Sequence, residues 1–136
     1  DALENILTTV RDLTDRRGIC LFGCGGDRDR SKRPVMGSIA AALADICVVT
    51  SDNPRTEEPV AIIADILKGM EGTDTPVRVE PDRRAAIRLA LSEAGTGDVV
   101  VLAGKGHETY QEINGVQFHL DEREEVAGFF ARGRRG

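Results

Sequence analysis

Short β-branched runs alternate with stretches of helical period along this chain, and that alternation leaves few architectures open. Ile19-Cys20-Leu21-Phe22, the run 46–50, Val77-Arg78-Val79 and the run 98–103 each read as a strand bounded by turn formers. Between them the apolar residues recur every three or four positions. Leu3, Ile6, Leu7, Val10 and Leu13 predict a first helix over about 2–16, and Pro34 suits the first turn of a second over about 34–44. Ile62, Ile63, Ile66, Leu67 and Met70 mark the buried face of a third, for which Thr56 is the expected N-cap. Asp82 opens a fourth that Gly95 stops, with Ile87, Ala90, Leu91 and Ala94 on one face. Strands separated by helices must pair in parallel, because each crossover returns the chain to the same end of the sheet. The chain then changes character. Tyr110–Ile113 and 116–120 flank Asn114-Gly115, a two-residue hairpin signal, and Asp121 with Glu124 resembles a capping box before a last helix through about Phe130. The expected fold is therefore α/β, a doubly wound and mainly parallel sheet ending in an antiparallel hairpin. The run 98–103 is the clearest candidate for a buried strand.

Composition removes several function classes. The net charge of −5 argues against a broad nucleic-acid surface. No apolar run approaches the ~20 residues that cross a bilayer, and nothing at the start resembles a signal peptide, so no membrane partner is expected. Cys20, Cys24 and Cys47 lack the paired spacing of a zinc site and read as buried or semi-buried thiols of a reducing cytoplasm. The chain opens on Asp1 and runs straight into helical pattern, which suggests a processed product or a piece of something longer.

In such a sheet, ligands bind outside the carboxyl ends of the strands. Three loops leave those ends, at 23–33, 51–56 and 104–109; all carry charge, and the first and third are rich in glycine. Taken singly, each could be a tight turn with solvated charges. Taken together, they can converge on one ligand. Asp52-Asn53-Pro54-Arg55 offers an anion, an amide and a guanidinium within four positions, a set able to grip both charged groups of an amino acid. Arg28-Asp29-Arg30-Ser31-Lys32-Arg33 puts four cations in six positions, equally readable as a solvated loop. Gly23-Cys24-Gly25-Gly26 is an incomplete dinucleotide fingerprint, and Gly104-Lys105-Gly106-His107 lacks the spacing and hydroxyl of a phosphate loop. Neither supports a complete nucleotide site. His107 reads as a loop hydrogen-bonder, His119 as exposed or packed on a hairpin strand, and the tail from Arg132 as frayed.

Phe22 to Met36 (FGCGGDRDRSKRPVM), Thr50 to Thr56 (TSDNPRT) and Gly104 to Glu108 (GKGHE) strongly resemble the C-terminal domain of the Mur ligase family, in the branch that adds meso-diaminopimelate. The resemblance covers essentially the whole chain in the right order. Asp1-Ala2-Leu3-Glu4 looks like the end of a family motif whose preceding Asp-Tyr-Ala-His-Thr-Pro is absent, as are the family's N-terminal and central ATPase domains. The resemblance implies a parent that uses ATP and Mg to phosphorylate a glutamate carboxylate of UDP-N-acetylmuramoyl-alanyl-glutamate. An amine of diaminopimelate then attacks, giving an amide, ADP and phosphate. The fragment would be inactive alone, cytoplasmic and monomeric, meeting ATP and the nucleotide-linked dipeptide through the missing domains. By position, Arg28, Asp52, Asn53, Arg55, Gly104 and Glu108 match the family's diaminopimelate contacts, while Asp27, Arg30 and Lys32 are weaker candidates for nucleotide-proximal roles. The residue types agree, since guanidinium groups pair bidentately with carboxylates and acidic side chains accept from an ammonium. Lysine-adding relatives generally carry another residue at the position of Arg55. The alternatives are a free-standing binding module for an anionic metabolite and a lysine-adding domain.

Overall fold

A computed structural model describes residues 2–104 and 108–133. Its elements run α1 (Ala2–Leu13), β1 (Gly18–Phe22), α2 (Lys32–Leu43), β2 (Ile46–Val49), α3 (Pro59–Lys68), β3 (Val77–Val79), α4 (Arg83–Glu93), β4 (Val99–Leu102), β5 (Tyr110–Ile113), β6 (Val116–His119) and α5 (Glu122–Gly133). Four strands form a parallel sheet in the order β3-β2-β1-β4, and β5 and β6 form a separate antiparallel pair. The register is continuous across the sheet, with Cys20 facing Cys47 on one side and Val101 on the other.

The period-2 alternation of β1 and β2 divides the core in two. Cys20, Phe22, Cys47 and Val49 face Leu3, Leu7 and Val10 of α1, Ala40 and Ala41 of α2, and Ile62 and Ile66 of α3. Ile19, Leu21, Ile46 and Val48 face Ala86, Ile87 and Ala90 of α4, where Val126 of α5 also packs. Every residue of β1 and β2 is buried, as expected of parallel strands covered on both faces. The doubly wound expectation holds.

Several expectations need correction. The run 98–103 forms β4, but β4 is an edge strand and Val99, Val100 and Leu102 are only half-buried. An unbroken apolar run reports that helices cover both faces; it says nothing about pairing at both edges. Helix α1 stops at Leu13, because the Thr14 hydroxyl donates to the Gly97 carbonyl (2.9 Å) and accepts from the Arg16 amide (3.0 Å). Helix α3 is capped at Glu58 with Pro59 as its first residue, not at Thr56. The Thr56 hydroxyl instead donates to Asp27 Oδ1 at 2.6 Å. Asp82 caps α4 as expected, accepting from the Arg84 amide. Asp121 accepts from the Arg123 amide, but Glu124 pairs with His119 at 3.0 Å and leaves the capping box half made.

Asn114 (φ 50°) and Gly115 (φ 77°) carry the two left-handed residues of a type I′ turn. The hairpin leans on the loop after β2. The Arg55 amide donates to the Glu112 carbonyl (3.1 Å), the Asn114 amide donates to the Arg55 carbonyl (2.7 Å), and Arg55 pairs in parallel with Ile113. No helix among the described residues is long and apolar enough to cross a membrane.

Candidate functional site

Parallel pairing sends the loops after β1, β2 and β4 off the same edge of the sheet. The first two touch at backbone level. The Gly26 amide donates to the Asn53 carbonyl at 2.8 Å, and a Cβ on Gly26 would sit 1.8 Å from the Pro54 carbonyl oxygen. Only glycine allows that approach. At the end of β4, Gly104 takes φ +110°, and the position of its missing Cβ lies 3.8 Å from Asp52 Oδ2. The exits of β2 and β4 therefore meet beyond β1.

A cleft of about 480 Å³ opens at this meeting point, lined among others by Arg28, Asp29, Lys32, Met36, Asp52 and Gly104. Arg28 and Lys32 are exposed at its mouth and Asp52 is half-buried. Arg28 has no ion pair among the described residues. Asn53 is buried beside the cleft; its side-chain amide donates to Glu108 Oε2 (3.0 Å) and accepts from the Glu112 amide (2.9 Å). Arg55 reaches back under the glycine loop, with Nη1 donating to the carbonyls of Gly26 (3.0 Å) and Asn53 (3.4 Å). Among the described residues, the Nε–Nη2 edge of Arg55 takes no partner, and that edge matches a carboxylate bidentately. The missing Cβ of Gly25 would stand 2.8 Å from Arg55 Nη1 and 3.4 Å from Arg28 Cγ, so the two arginines flank Gly25.

The fold thus gathers Arg28, Asp52, Asn53, Arg55, Gly104 and Glu108 at one rim, with Lys32 beside them. It sends two of the weaker candidates elsewhere. Arg30 turns away to pair with Asp65 (3.1 Å) over a separate depression of about 240 Å³ that also includes Lys68. The Asp27 carboxylate is taken by Thr56. Lys105, Gly106 and His107 lie outside the described residues.

Sequence reasoning missed the buried arginines behind the rim. Arg33 is 1% exposed; it donates to Glu57 (2.8 Å), to Asp65 (3.0 Å) and to the Gly25 carbonyl (3.1 Å). Glu57 also accepts from the Asp27 amide at 2.6 Å, so this pair holds the glycine loop against the start of α3. Hydrogen bonds from Arg30 and then Arg33 pull the Asp65 carboxyl down to about 2. Arg33 likewise depresses Glu57. A signal was available: Asp65 interrupts the stripe of Ile62, Ile63 and Ile66, and an acid within an apolar stripe demands a buried cation. Arg83 shares the buried face of α4 with Ala86, Ile87 and Ala90, and carried the same signal. Gln111 is a third omission; its amide nitrogen donates to Ser51 Oγ and to the Asp52 carbonyl, both at 2.6 Å.

This rim can hold a ligand that carries both carboxylate and ammonium groups. Among the described residues it shows no nucleophile activated by a neighbouring base. Cys24 is the thiol nearest the cleft, and burial pushes it up to about 11, with its sulfur 3.5 Å from that of Met36.

The family model described as Mur ligase, glutamate ligase domain, matches residues 1–106. The chain belongs to the Mur ligase family. It is 56% identical over 135 residues to a UDP-N-acetylmuramoyl-L-alanyl-D-glutamate–2,6-diaminopimelate ligase of Syntrophomonas wolfei, covering 98% of this chain and 27% of that protein. The ligase of the same name from Synechococcus elongatus is 56% identical over 126 residues, covering 93% and 25%. A solved structure of a ligase of that name superposes with a TM-score of 0.94 at 44% identity, covering 98% of this chain and 28% of the other. This Mur ligase chain therefore spans about a quarter of the length of the relatives it matches.

Proposed function

We propose that residues 1–136 are the amino-acid-binding C-terminal domain of a longer, cytoplasmic, ATP-dependent ligase that adds meso-diaminopimelate to UDP-N-acetylmuramoyl-alanyl-glutamate in peptidoglycan synthesis. N-terminal and central ATPase domains would supply the rest, and the domain would be monomeric and inactive alone. The observation that carries this reading is the convergence of two arginines, two acids and an asparagine from three loops on one rim.

Arg28 and the open edge of Arg55 would take the distal carboxylate of diaminopimelate. Asp52 and Glu108 would accept from the distal ammonium, with Asn53 setting the Glu108 carboxylate. An ammonium held by carboxylates stays protonated and cannot attack. The other amine remains outside the clamp. Once neutral, its lone pair forms the C–N bond at an activated glutamyl carbonyl, the C–O bond to phosphate breaks, and the amine proton leaves to solvent. This domain's part is selection and aim.

The fit to ATP and Mg²⁺ is poor within this chain. The described residues hold no cluster of three or more His, Cys, Asp or Glu suited to a metal, and the glycine loops lack the phosphate-loop pattern. Asp27 and Arg30 are already paired, leaving Lys32 as the candidate nearest a phosphate. Both groups would be held mainly by the rest of the enzyme, and the steps above need neither from these residues.

Lysine lacks the distal carboxylate, so its binding would leave a guanidinium desolvated without a partner. Sites built around such a partner reject the analogue lacking it by roughly 10⁴-fold. The test is phosphate release by the full-length ligase with meso-diaminopimelate or L-lysine, in wild type and Arg55→Ala. Strong preference for diaminopimelate, lost selectively in the variant, is expected. Equal use of lysine, or unchanged kinetics with diaminopimelate in the variant, would defeat the reading. Calorimetry on the isolated domain adds a second arm. Millimolar or undetectable binding of diaminopimelate is expected, whereas tight binding of a simple anionic metabolite would favour a free-standing module.

A further inference from the structure

Arg83 opens α4 and is fully buried, yet it touches none of the side chains assigned to the ligand. Its fork is spent on backbone. Nη1 donates to the Ser51 carbonyl at 2.9 Å and Nη2 to the Ala103 carbonyl at 3.0 Å. Nε and Nη2 both reach Glu122 Oε2, at 3.2 and 3.1 Å, at the start of α5. Ser51 and Ala103 lie just beyond β2 and β4, which are not neighbours because β1 lies between them. No ladder hydrogen bond therefore joins the two exits directly; each is tied instead to β1, the Thr50 amide donating to the Phe22 carbonyl (3.0 Å) and the Ala103 amide to the Leu21 carbonyl (2.9 Å). The residues that follow are Asp52 and Gly104, which stand side by side in the lining of the cleft, the Gly104 Cβ position 3.8 Å from Asp52 Oδ2.

We infer that Arg83 is a positioning residue for the incoming amino acid: its planar fork sets the gap between Asp52 and Gly104 by holding the carbonyl before each. The inference rests on the diaminopimelate reading. A guanidinium is suited to this because its donors are fixed in one plane, whereas an ammonium is a point donor on a flexible stem. Glu122 neutralises the buried charge without touching either carbonyl, so charge balance and loop spacing are carried by different bonds of one side chain. That separation makes the role testable.

The experiment is steady-state phosphate release by the full-length ligase, varying diaminopimelate and ATP separately, with thermal midpoints measured alongside. Arg83→Lys is expected to raise KM for diaminopimelate at least about tenfold while KM for ATP stays within twofold. Glu122→Gln keeps both carbonyl bonds, and is expected to lower the midpoint while leaving KM for diaminopimelate within twofold. If Arg83→Lys fails to fold, the double variant Arg83→Met/Glu122→Leu removes the buried charges together and should show the same rise. A purely structural Arg83 would reduce the active fraction, and so the maximal rate, at unchanged KM; that result overturns the inference. So does an equal rise in KM for Glu122→Gln, which would mark general loosening. A wild-type ligase indifferent to diaminopimelate would sink the substrate reading and this role together, whereas an active wild type with flat KM across the variants sinks only the role of Arg83.

Discussion

Gly26→Ala isolates the contact on which the site depends. Gly26 does not take a positive φ, so alanine there carries no left-handed backbone penalty and its effect is steric. The added Cβ would sit 1.8 Å from the Pro54 carbonyl oxygen and 2.6 Å from the carbonyl carbon. Both obstacles are backbone, so no side chain can swing clear. Restoring ordinary contact requires the two loops to part by more than an ångström. Two bonds bridge them at this point: Gly26 amide to Asn53 carbonyl at 2.8 Å, and Arg55 Nη1 to Gly26 carbonyl at 3.0 Å. A neutral bond contributes about 1 kcal/mol and a charge-assisted one about 1.5–3 kcal/mol, so their loss should total about 3 kcal/mol. With a urea m-value of about 2 kcal/mol/M for a domain of this size, the unfolding midpoint should fall by roughly 1.5 M. Urea denaturation of the 136-residue chain measures this directly. A midpoint within about 0.2 M of wild type, at unchanged m-value, would mean that the glycine loop does not rest on the Asp52–Arg55 loop.

Acid stability should depend on Asp65. Its carboxyl is lowered from 3.8 to about 2 by the arginines, so its contribution is present above pH 3.8 and is lost as pH falls towards about 2. Asp65→Asn should weaken folding near neutrality by about 2–3 kcal/mol and flatten that stretch of the acid-unfolding curve; an unaltered curve would refute the pairing. The thiols should be inert in the folded chain, because burial pushes Cys20 and Cys47 up to about 12 and Cys24 up to about 11. Titration with a thiolate-selective reagent at pH 8 should run at least about 100-fold slower than in denaturant, and rapid native labelling of Cys24 would contradict its burial. Gly115→Ala is the counterpart of Gly26→Ala: nothing lies within 4 Å of its Cβ position, but φ is +77°. It should cost only about 1 kcal/mol, read as a small fall in thermal midpoint with ligand handling unchanged.

Much of the fold was legible because parallel strands advertise themselves twice, by unbroken apolar runs and by the helices needed to connect them. Asn114-Gly115 was equally plain, since few other pairs supply two adjacent left-handed residues. Strand order was not legible. The runs at Ile46–Val49 and Val99–Leu102 look alike in sequence, yet one is central and one is an edge, because pairing depends on partners far away in the chain. The convergence of three loops followed from topology alone. The fates of individual charges did not: Arg28 and Arg30 are two residues apart, but Arg28 stays at the cleft while Arg30, just ahead of α2, faces Asp65 on α3. A run of cations that the sequence left equally readable as one solvated loop thus divides into cleft-facing, surface-paired and fully buried members. Thr56 was misread for a related reason. Its hydroxyl suits a helix cap, but Asp27 is a nearer partner that sequence distance hides.

The backbone itself marks where geometry was favoured over local ease. Among the described residues, three that are not glycine carry positive φ, and apart from the hairpin's Asn114 these are Asp27 (55°) and Arg55 (52°). Each left-handed residue costs roughly 1–2 kcal/mol relative to glycine or an ordinary conformation. Both sit where the glycine loop meets the Asp52–Arg55 loop, and both are held on two sides. Asp27 is fixed by Glu57 and Thr56, and Arg55 by the Glu112 carbonyl and the Asn114 amide. A glycine at 55 would relieve the strain but delete a charge-assisted bond to the Gly26 carbonyl worth about 1.5–3 kcal/mol, so the arginine at least offsets its own backbone penalty. Stability alone therefore gives no strong reason to avoid or demand it. What the left-handed turn does accomplish is to aim one edge of the guanidinium at the loop carbonyls and leave the other edge uncommitted among the described residues. A group anchored by half of its donors loses little freedom when the other half meets a carboxylate, which is the condition for selecting a ligand by that group.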